Sequence, residues 1–360
     1  MLVFLIIIIL LAIILQYMSM KNALRGINYN YTCTKHLVEP DEVFDVVTTL
    51  TNQSSRFIPF VRLSETIPFR VKVLHSQAKL SVDIGNNLLH ISTTYLLPKS
   101  KLDRRLPVSI SKRGCYRFRG ADVSCGDFLG LEETTERFYI YNNEVVVYPK
   151  EAQTDNLHNM FGGFFGDMSV RRFMMEDPVL TVSAREYTGC EPLKQISWNH
   201  SARVGKLMVK QFDYTVEPVV SVMLDVNTDN TMLVENCFCL TRTVCQLLET
   251  KRIAYDFITN ASTCNAISRW SYVGEGLGSV HFLSILEGLG RASCIATEPF
   301  FATVDKMKKK QYKNRSLIII MPARDDGKHQ AANHLQELTL KFVYGEDCLD
   351  DIHNDPETHM

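Results

Sequence analysis

No excess of either charge sign marks this chain: 39 Lys and Arg stand against 40 Asp and Glu in 360 residues, a net charge of −1. A protein that grips a phosphate backbone carries a basic face, and none is spelled out here. The one dense basic run, Lys306-Met307-Lys308-Lys309-Lys310, reads as a solvated face. Nucleic acid is therefore not an expected partner. Phosphate-loop chemistry is missing too, because no Gly-x-x-x-x-Gly-Lys-Ser/Thr occurs. Cysteine is present ten times but never as C-x-x-C, so zinc spacing is absent. Scattered thiols without a framework fit a reducing compartment.

Charge and polarity are missing altogether from Leu2 to Leu15, and Gln16-Tyr17-Met18 extends the stretch. A helix crosses a bilayer with roughly 17–25 apolar residues, so this run is at the short end. Nothing basic precedes Leu2, and Met18-Ser19-Met20 is a poor cleavage site. The expectation is an uncleaved transmembrane helix over 1–20, in contact with lipid through residues 1–18, rather than a signal peptide. Lys21 and Arg25 follow the span, which places the C-terminal bulk on the cytoplasmic side of a single-pass cell-membrane protein.

What is there begins as β-structure. Val43 to Leu50 is β-branched and aromatic, and Asn52-Gln53-Ser54-Ser55 supplies a turn. Phe69 to Val73 alternates apolar with basic. Leu88–Leu97, Val108–Ile110, Tyr116–Phe118 and Val145–Tyr148 continue the series, which Pro149 stops. Short strands with no helix between them predict a β-sandwich-like domain over 28–150. Residues 151–217 read as a linker and a distinctive segment, with the glycine-rich and aromatic run 161–166 as a packing loop.

From residue 218 the rhythm changes. Val219–Leu224 is a near-continuous apolar run, as a buried parallel strand should be. A helix with Cys237, Leu240, Val244, Leu247 and Leu248 on one stripe follows. Ile253–Ile258 and Leu317–Met321 read as strands, Val280–Leu289 and His329–Leu340 as helices, and Lys341–Tyr344 as a last strand. Strand, helix, strand, helix predicts a doubly wound α/β domain over 218–345. An acidic tail, 346–360, is expected to fray.

Candidate chemistry is sparse. Gly274-Glu275-Gly276-Leu277-Gly278 reads as a turn. Cys237 and Cys239 lie on a helix, where i and i+2 point apart. Cys190 and His200 would make a nucleophile pair only if folding joined them; a hydrolase or transferase is the corresponding reading. Asp225 ends the first α/β strand, where open sheets bind ligands. Asp225, Asn227 and Asp229 offer oxygens at i, i+2 and i+4, a spacing that suits Mg²⁺ or another hard cation. The run is similar to the metal-dependent adhesion site of von Willebrand A domains, Asp-x-Ser-x-Ser, with Asn227 and Asp229 in place of both serines. Capping of the next helix is the alternative.

The most specific stretch is Arg185-Glu186-Tyr187-Thr188-Gly189-Cys190, then Ile196-Ser197-Trp198, then Ser201-Ala202-Arg203. It resembles the signature of the domain of unknown function 58 family: Arg-Glu-Tyr-x-x-Gly-Asp, Ile-x-Trp, Ser-Ala-Arg. Cys190 stands where that family has Asp. Upstream, Arg113-Gly114-Cys115-Tyr116, Gly126-Asp127-Phe128-Leu129-Gly130-Leu131 and Val147-Tyr148-Pro149 resemble its further elements, with Phe128 in place of Pro. The resemblance runs from 1 to about 345. It implies an α+β multi-domain chain: a transmembrane helix, a β-sandwich-like module and a von Willebrand A-like doubly wound α/β domain. It also implies non-catalytic adaptor or assembly work beside a MoxR-type AAA+ ATPase. Within the signature, Trp198 is expected to bury its ring. Arg185, Glu186 and Arg203 are expected to form an internal ion-pair network, with a docking surface as the alternative.

Overall fold

The structure is a computed structural model of the chain. It describes residues 24–74, 79–83, 87–126, 133–141, 143–152, 161, 163–164, 181–212, 219–264, 271–309, 315–333 and 339–351. Two units divide it: residues 1–150 with 289–291, and residues 151–288 with 292–360.

The first unit is a β-sandwich. One antiparallel sheet runs in the order β1 (Ile27–Cys33), β3 (Phe44–Asn52), β8 (Lys101–Ile110), β5 (Val71–Val73). The other runs β11 (Glu133–Tyr139), β10 (Gly120–Gly126), β4 (Ile58–Pro68), β7 (Asn87–Leu96), β6 (Lys79–Asp83). A third, small sheet joins β2 (Leu37–Val38), β12 (Glu144–Val147) and β9 (Gly114–Arg117). Alternation decides which face is buried, since side chains leave a strand on opposite sides. Phe44, Val46 and Leu50 of β3 point inward, as do Val61, Leu63 and Ile67 of β4. Ile27 and Leu50 from one sheet meet Val61, Leu63, Leu96 and Val123 from the other in one apolar cluster. Gly120 opens β10 at φ +122°, where a Cβ would lie 2.0 Å from the Phe138 carbonyl oxygen, so only glycine fits.

The second unit opens on a two-stranded ladder, β13 (Thr181–Glu186) and β14 (Met208–Phe212), with a short helix α1 (Trp198–Val204) between them. A five-stranded sheet follows in the order β18 (Tyr272–Gly276), β16 (Ala254–Thr259), β15 (Val219–Leu224), β20 (Ser316–Met321), β21 (Thr339–Tyr344). Four of its strands are parallel, and β18 is antiparallel to β16. Met223, Ile258 and Ile319 share one face and pack on Phe300 and Val304 of α4 (Phe300–Lys309) and Ala332 of α5 (Asp326–Asn333). The long helix α2 (Thr231–Thr250) packs against β15, β16 and β20. Helix α3 (Ser279–Arg291) precedes β19 (Ala292–Ala296), which pairs with β17 (Ala261–Thr263) away from the main sheet.

These findings correct the expected fold class. Among the described residues strand outweighs helix, 47% to 26%, so the expected α+β chain with a von Willebrand A-like doubly wound domain gives way to a mainly β one, whose second unit holds a single mostly parallel sheet. The reason lies in the first 150 residues, where β-branched alternation supplies twelve strands among the described residues, and in glycines that extend rather than turn. Gly274 and Gly276, expected in a turn, lie in β18, which pairs antiparallel along the edge. No helix among the described residues is long and apolar enough to cross a membrane. The expected transmembrane segment 1–20, residues 127–131 and residues 162, 165 and 166 lie outside the described residues. Two helix boundaries also move. Helix α3 continues past Gly290, and α5 starts at Asp326 instead of His329.

Candidate functional site

Two groups of sequence-selected residues fall in the second unit, and neither forms as expected. The 185–209 segment is held by backbone and hydroxyl hydrogen bonds. Tyr187 N–H donates to the Leu207 carbonyl at 2.9 Å, and Ser197 N–H to the Met208 carbonyl at 2.8 Å. Ser201 Oγ accepts from the Met208 amide at 2.8 Å and donates to the Ser197 carbonyl at 2.9 Å. Ser201 thus staples α1 to β14 and gives that position a structural role. Gly189 sits at φ +93°, which favours glycine there. Gly205 closes α1 in the left-handed conformation.

The expected ion-pair network is divided. Arg185 pairs with Glu191 at 2.6 Å, and Glu186 with Lys206 at 2.7 Å. Glu191 also accepts from the Thr188 hydroxyl at 2.7 Å and from its amide at 3.2 Å. The Thr188 hydroxyl, with the Arg185 guanidinium beside it, holds the Glu191 carboxyl down at about 2. Arg203 and Lys194 carry no ion pair among the described residues. Trp198 is 64% exposed, the reverse of the expected burial. Leu193, Val204 and Leu207 of the same segment are exposed as well, and Ala202 points to solvent.

Cys190 and His200 do not meet. His200 Nδ1 lies 3.2 Å from Ser197 Oγ, and no hydrogen bond joins it to the exposed Cys190. Accessibility divides the ten thiols. Cys190 and Cys264 are exposed, whereas burial pushes Cys33 and Cys125 up to about 12. Since the thiolate is the nucleophile, Cys190 and Cys264 are expected to react first with a disulfide reagent at mild pH. Cys33 and Cys125 are expected to wait for unfolding. Mass mapping of the labelled sites checks this, and prompt labelling of Cys33 or Cys125 in native protein would contradict the sandwich core.

The Asp225 group lies at the carboxyl end of β15. Asp225 is fully buried. Its Oδ1 accepts from Asn260 Nδ2 at 2.6 Å and from the Asn227 amide at 3.1 Å. Its Oδ2 accepts from Lys328 Nζ at 2.7 Å. Asn227 and Asp229 are exposed, and Asn230, not Asp229, caps α2 by accepting from the Met232 and Leu233 amides. A hard cation takes oxygens alone. Here an ammonium and an amide N–H₂ already point at the carboxylate, so the residues do not fit Mg²⁺. No group of three or more His, Cys, Asp or Glu suited to a metal occurs among the described residues.

A third cluster, in the first unit, carries no sequence motif. Glu65 is fully buried inside the sandwich. It accepts from the Thr48 hydroxyl, from the Arg104 guanidinium and, at 3.1 Å, shares a hydrogen bond with His90 Nδ1. Thr48 faces Arg104 across β3 and β8, and Glu65 faces His90 across β4 and β7. Two cross-strand pairs therefore make one polar layer through an apolar core. The signal in the sequence was Glu65 at an inward position of the Val61-Leu63-Glu65-Ile67 alternation.

No family model matches the chain, and no curated protein does. Among solved structures it is similar to the CARDB domain of the PF1109 protein from Pyrococcus furiosus, at 13% identity and a TM-score of 0.20, over 34% of this chain and 90% of that one. A type II cohesin domain from Acetivibrio cellulolyticus is similar at 9% identity and TM-score 0.23, over 34% and 95%. A GH20 exo-β-N-acetylglucosaminidase from Vibrio harveyi is similar at 11% identity and TM-score 0.24, over 86% and 60%. Likenesses this distant carry no argument about function.

Proposed function

We propose that the chain is a non-enzymatic adaptor that engages a protein partner through the α1 segment. The observation that supports this reading is Trp198, 64% exposed on a seven-residue helix stapled to β14. A large apolar side chain held out on a fixed support is costly to leave in water and effective as an interface anchor. Arg203 at the end of the same helix and Lys194 in the turn before it are free of ion pairs among the described residues, which suits a partner surface with carboxylates around an apolar pocket. The signature resemblance makes a MoxR-type AAA+ ATPase the first partner to test. Purified chain and ATPase are expected to co-elute in at least one nucleotide state. Trp198→Ala is expected to weaken the complex roughly 30-fold, as loss of an interface tryptophan does. Failure to recover the pair with and without ATP, or equal binding by Trp198→Ala, would reject the proposal.

A further inference from the structure

The strand order of the second unit reverses beside β15. The chain runs outward from β15 through β16 to β18, then returns to place β20 on the other side of β15. Open α/β sheets leave a crevice outside the strand ends at such a reversal, and ligands bind there. Asp225, the first residue after β15, stands at that place, with its amide donating to the Ile320 carbonyl of β20 at 2.9 Å. A carboxylate buried at this point demands a cation, since a lone buried charge is strongly unfavourable.

The cation present is the chain's own. Lys328 Nζ lies 2.7 Å from Asp225 Oδ2 and 3.4 Å from the Asn227 carbonyl oxygen. Its side chain is 12% exposed, and the ammonium lies 5.8 Å from the centre of the Phe300 ring, within reach of a cation–π attraction. Asn260 fixes the other carboxylate oxygen, and its own Oδ1 accepts from the Val226 amide at 3.0 Å. The carboxylate is therefore oriented on one oxygen and neutralised on the other.

We propose that Lys328 is a tethered cation that occupies the Asp225 centre in place of a divalent metal ion and closes it to one. The ammonium uses the two oxygens, a carboxylate and a backbone carbonyl, that a hard cation would take. Because Lys328 belongs to α5, the same pair ties the helix after β20 to the end of β15. This inference does not depend on the Trp198 surface.

The test is thermal melting of the full chain with and without millimolar Mg²⁺. Wild type is expected to show no response to Mg²⁺. Lys328→Ala is expected to melt roughly 10 °C lower, the effect of stranding a buried charge, and to regain part of that loss in Mg²⁺. Asp225→Asn combined with Lys328→Ala removes both charges and is expected to ignore Mg²⁺. Should Lys328→Ala fail to fold, the same comparison applies to Lys328→Gln, read as refolding yield with and without Mg²⁺. Three results would overturn the proposal: Mg²⁺ stabilisation of wild type that Asp225→Asn abolishes, a Lys328 variant that melts like wild type, or a depressed variant that Mg²⁺ leaves unmoved.

Discussion

Replacing Glu65 with alanine is expected to cost the sandwich unit roughly 3 kcal/mol, the low end for breaking a buried ion pair. The fully buried carboxylate is the shared acceptor for Thr48, His90 and Arg104. Its removal strands the Arg104 guanidinium inside an apolar core. Arg104 keeps 27% of its side chain exposed and can turn partly toward water, which is why the low end is expected. Further donors nearby are already unsatisfied, since Tyr29 Oη, Tyr31 Oη and Arg104 Nε have no hydrogen-bond partner among the described residues. Burial, with the Glu65 charge second, pushes both tyrosine hydroxyls well above their ordinary range. They therefore stay neutral and cannot replace the lost anion. Glu65→Gln, which keeps one acceptor oxygen and the shape, is expected to cost about half as much.

The readout separates the units. Both tryptophans, residues 198 and 270, belong to the second unit, so their fluorescence follows that unit while circular dichroism follows both. The Glu65 variant is expected to add an early dichroism phase in urea and to leave the fluorescence transition in place. A loss below about 1 kcal/mol would mean that the polar layer is not closed as described.

The same layer shows where sequence reading stopped. Phe44, Val46 and Leu50 announce β3 by period-two alternation, and the structure extends that strand only to Asn52. Strand β4 escaped notice because Pro59, Arg62, Ser64 and Glu65 break the apolar pattern, although Val61, Leu63 and Ile67 hold the inward register. A charged residue at an inward position is intelligible only once its partners from β3, β7 and β8 are known. The Asp225 centre failed for the same reason. Asp225, Asn227 and Asp229 form a local pattern, but Asn260 and Lys328, which decide its chemistry, lie 35 and 103 residues away. Trp198 failed differently. Average behaviour buries a tryptophan, but α1 has seven residues, and its tie to β14 comes through Ser201. The local strand and helix of 219–250 were legible. The fold class of the whole chain was not, because it depends on how many strands the preceding 150 residues supply.

Helix α2 gives the second large effect, in the other unit. The sequence stripe of Cys237, Leu240, Val244, Leu247 and Leu248 accounts for one buried face. The structure buries a second line beside it, Val234, Phe238, Thr241 and Cys245, spaced by four, three and four residues. Thr241 satisfies its hydroxyl by donating to the Cys237 carbonyl at 2.7 Å, so it fits this face without an orphaned group. Phe238 is fully buried and among the largest such side chains. Helix α2 packs on β15, β16 and β20, and the fully enclosed Phe238 side chain leaves a cavity when truncated. Phe238→Ala is expected to cost about 4 kcal/mol, from lost burial plus the cavity. Phe238→Leu, which keeps most of the volume, is expected to cost about 1 kcal/mol. Leu247 belongs to the sequence stripe yet is only half-buried, and Leu247→Ala is expected to cost about 1 kcal/mol. Tryptophan fluorescence in urea should shift for Phe238→Ala and carry the whole change, with no early dichroism phase of the Glu65 kind. If Leu247→Ala proved the costlier of the two alanine variants, the buried face of α2 would be the sequence stripe alone, and the second line of contacts would have to be withdrawn.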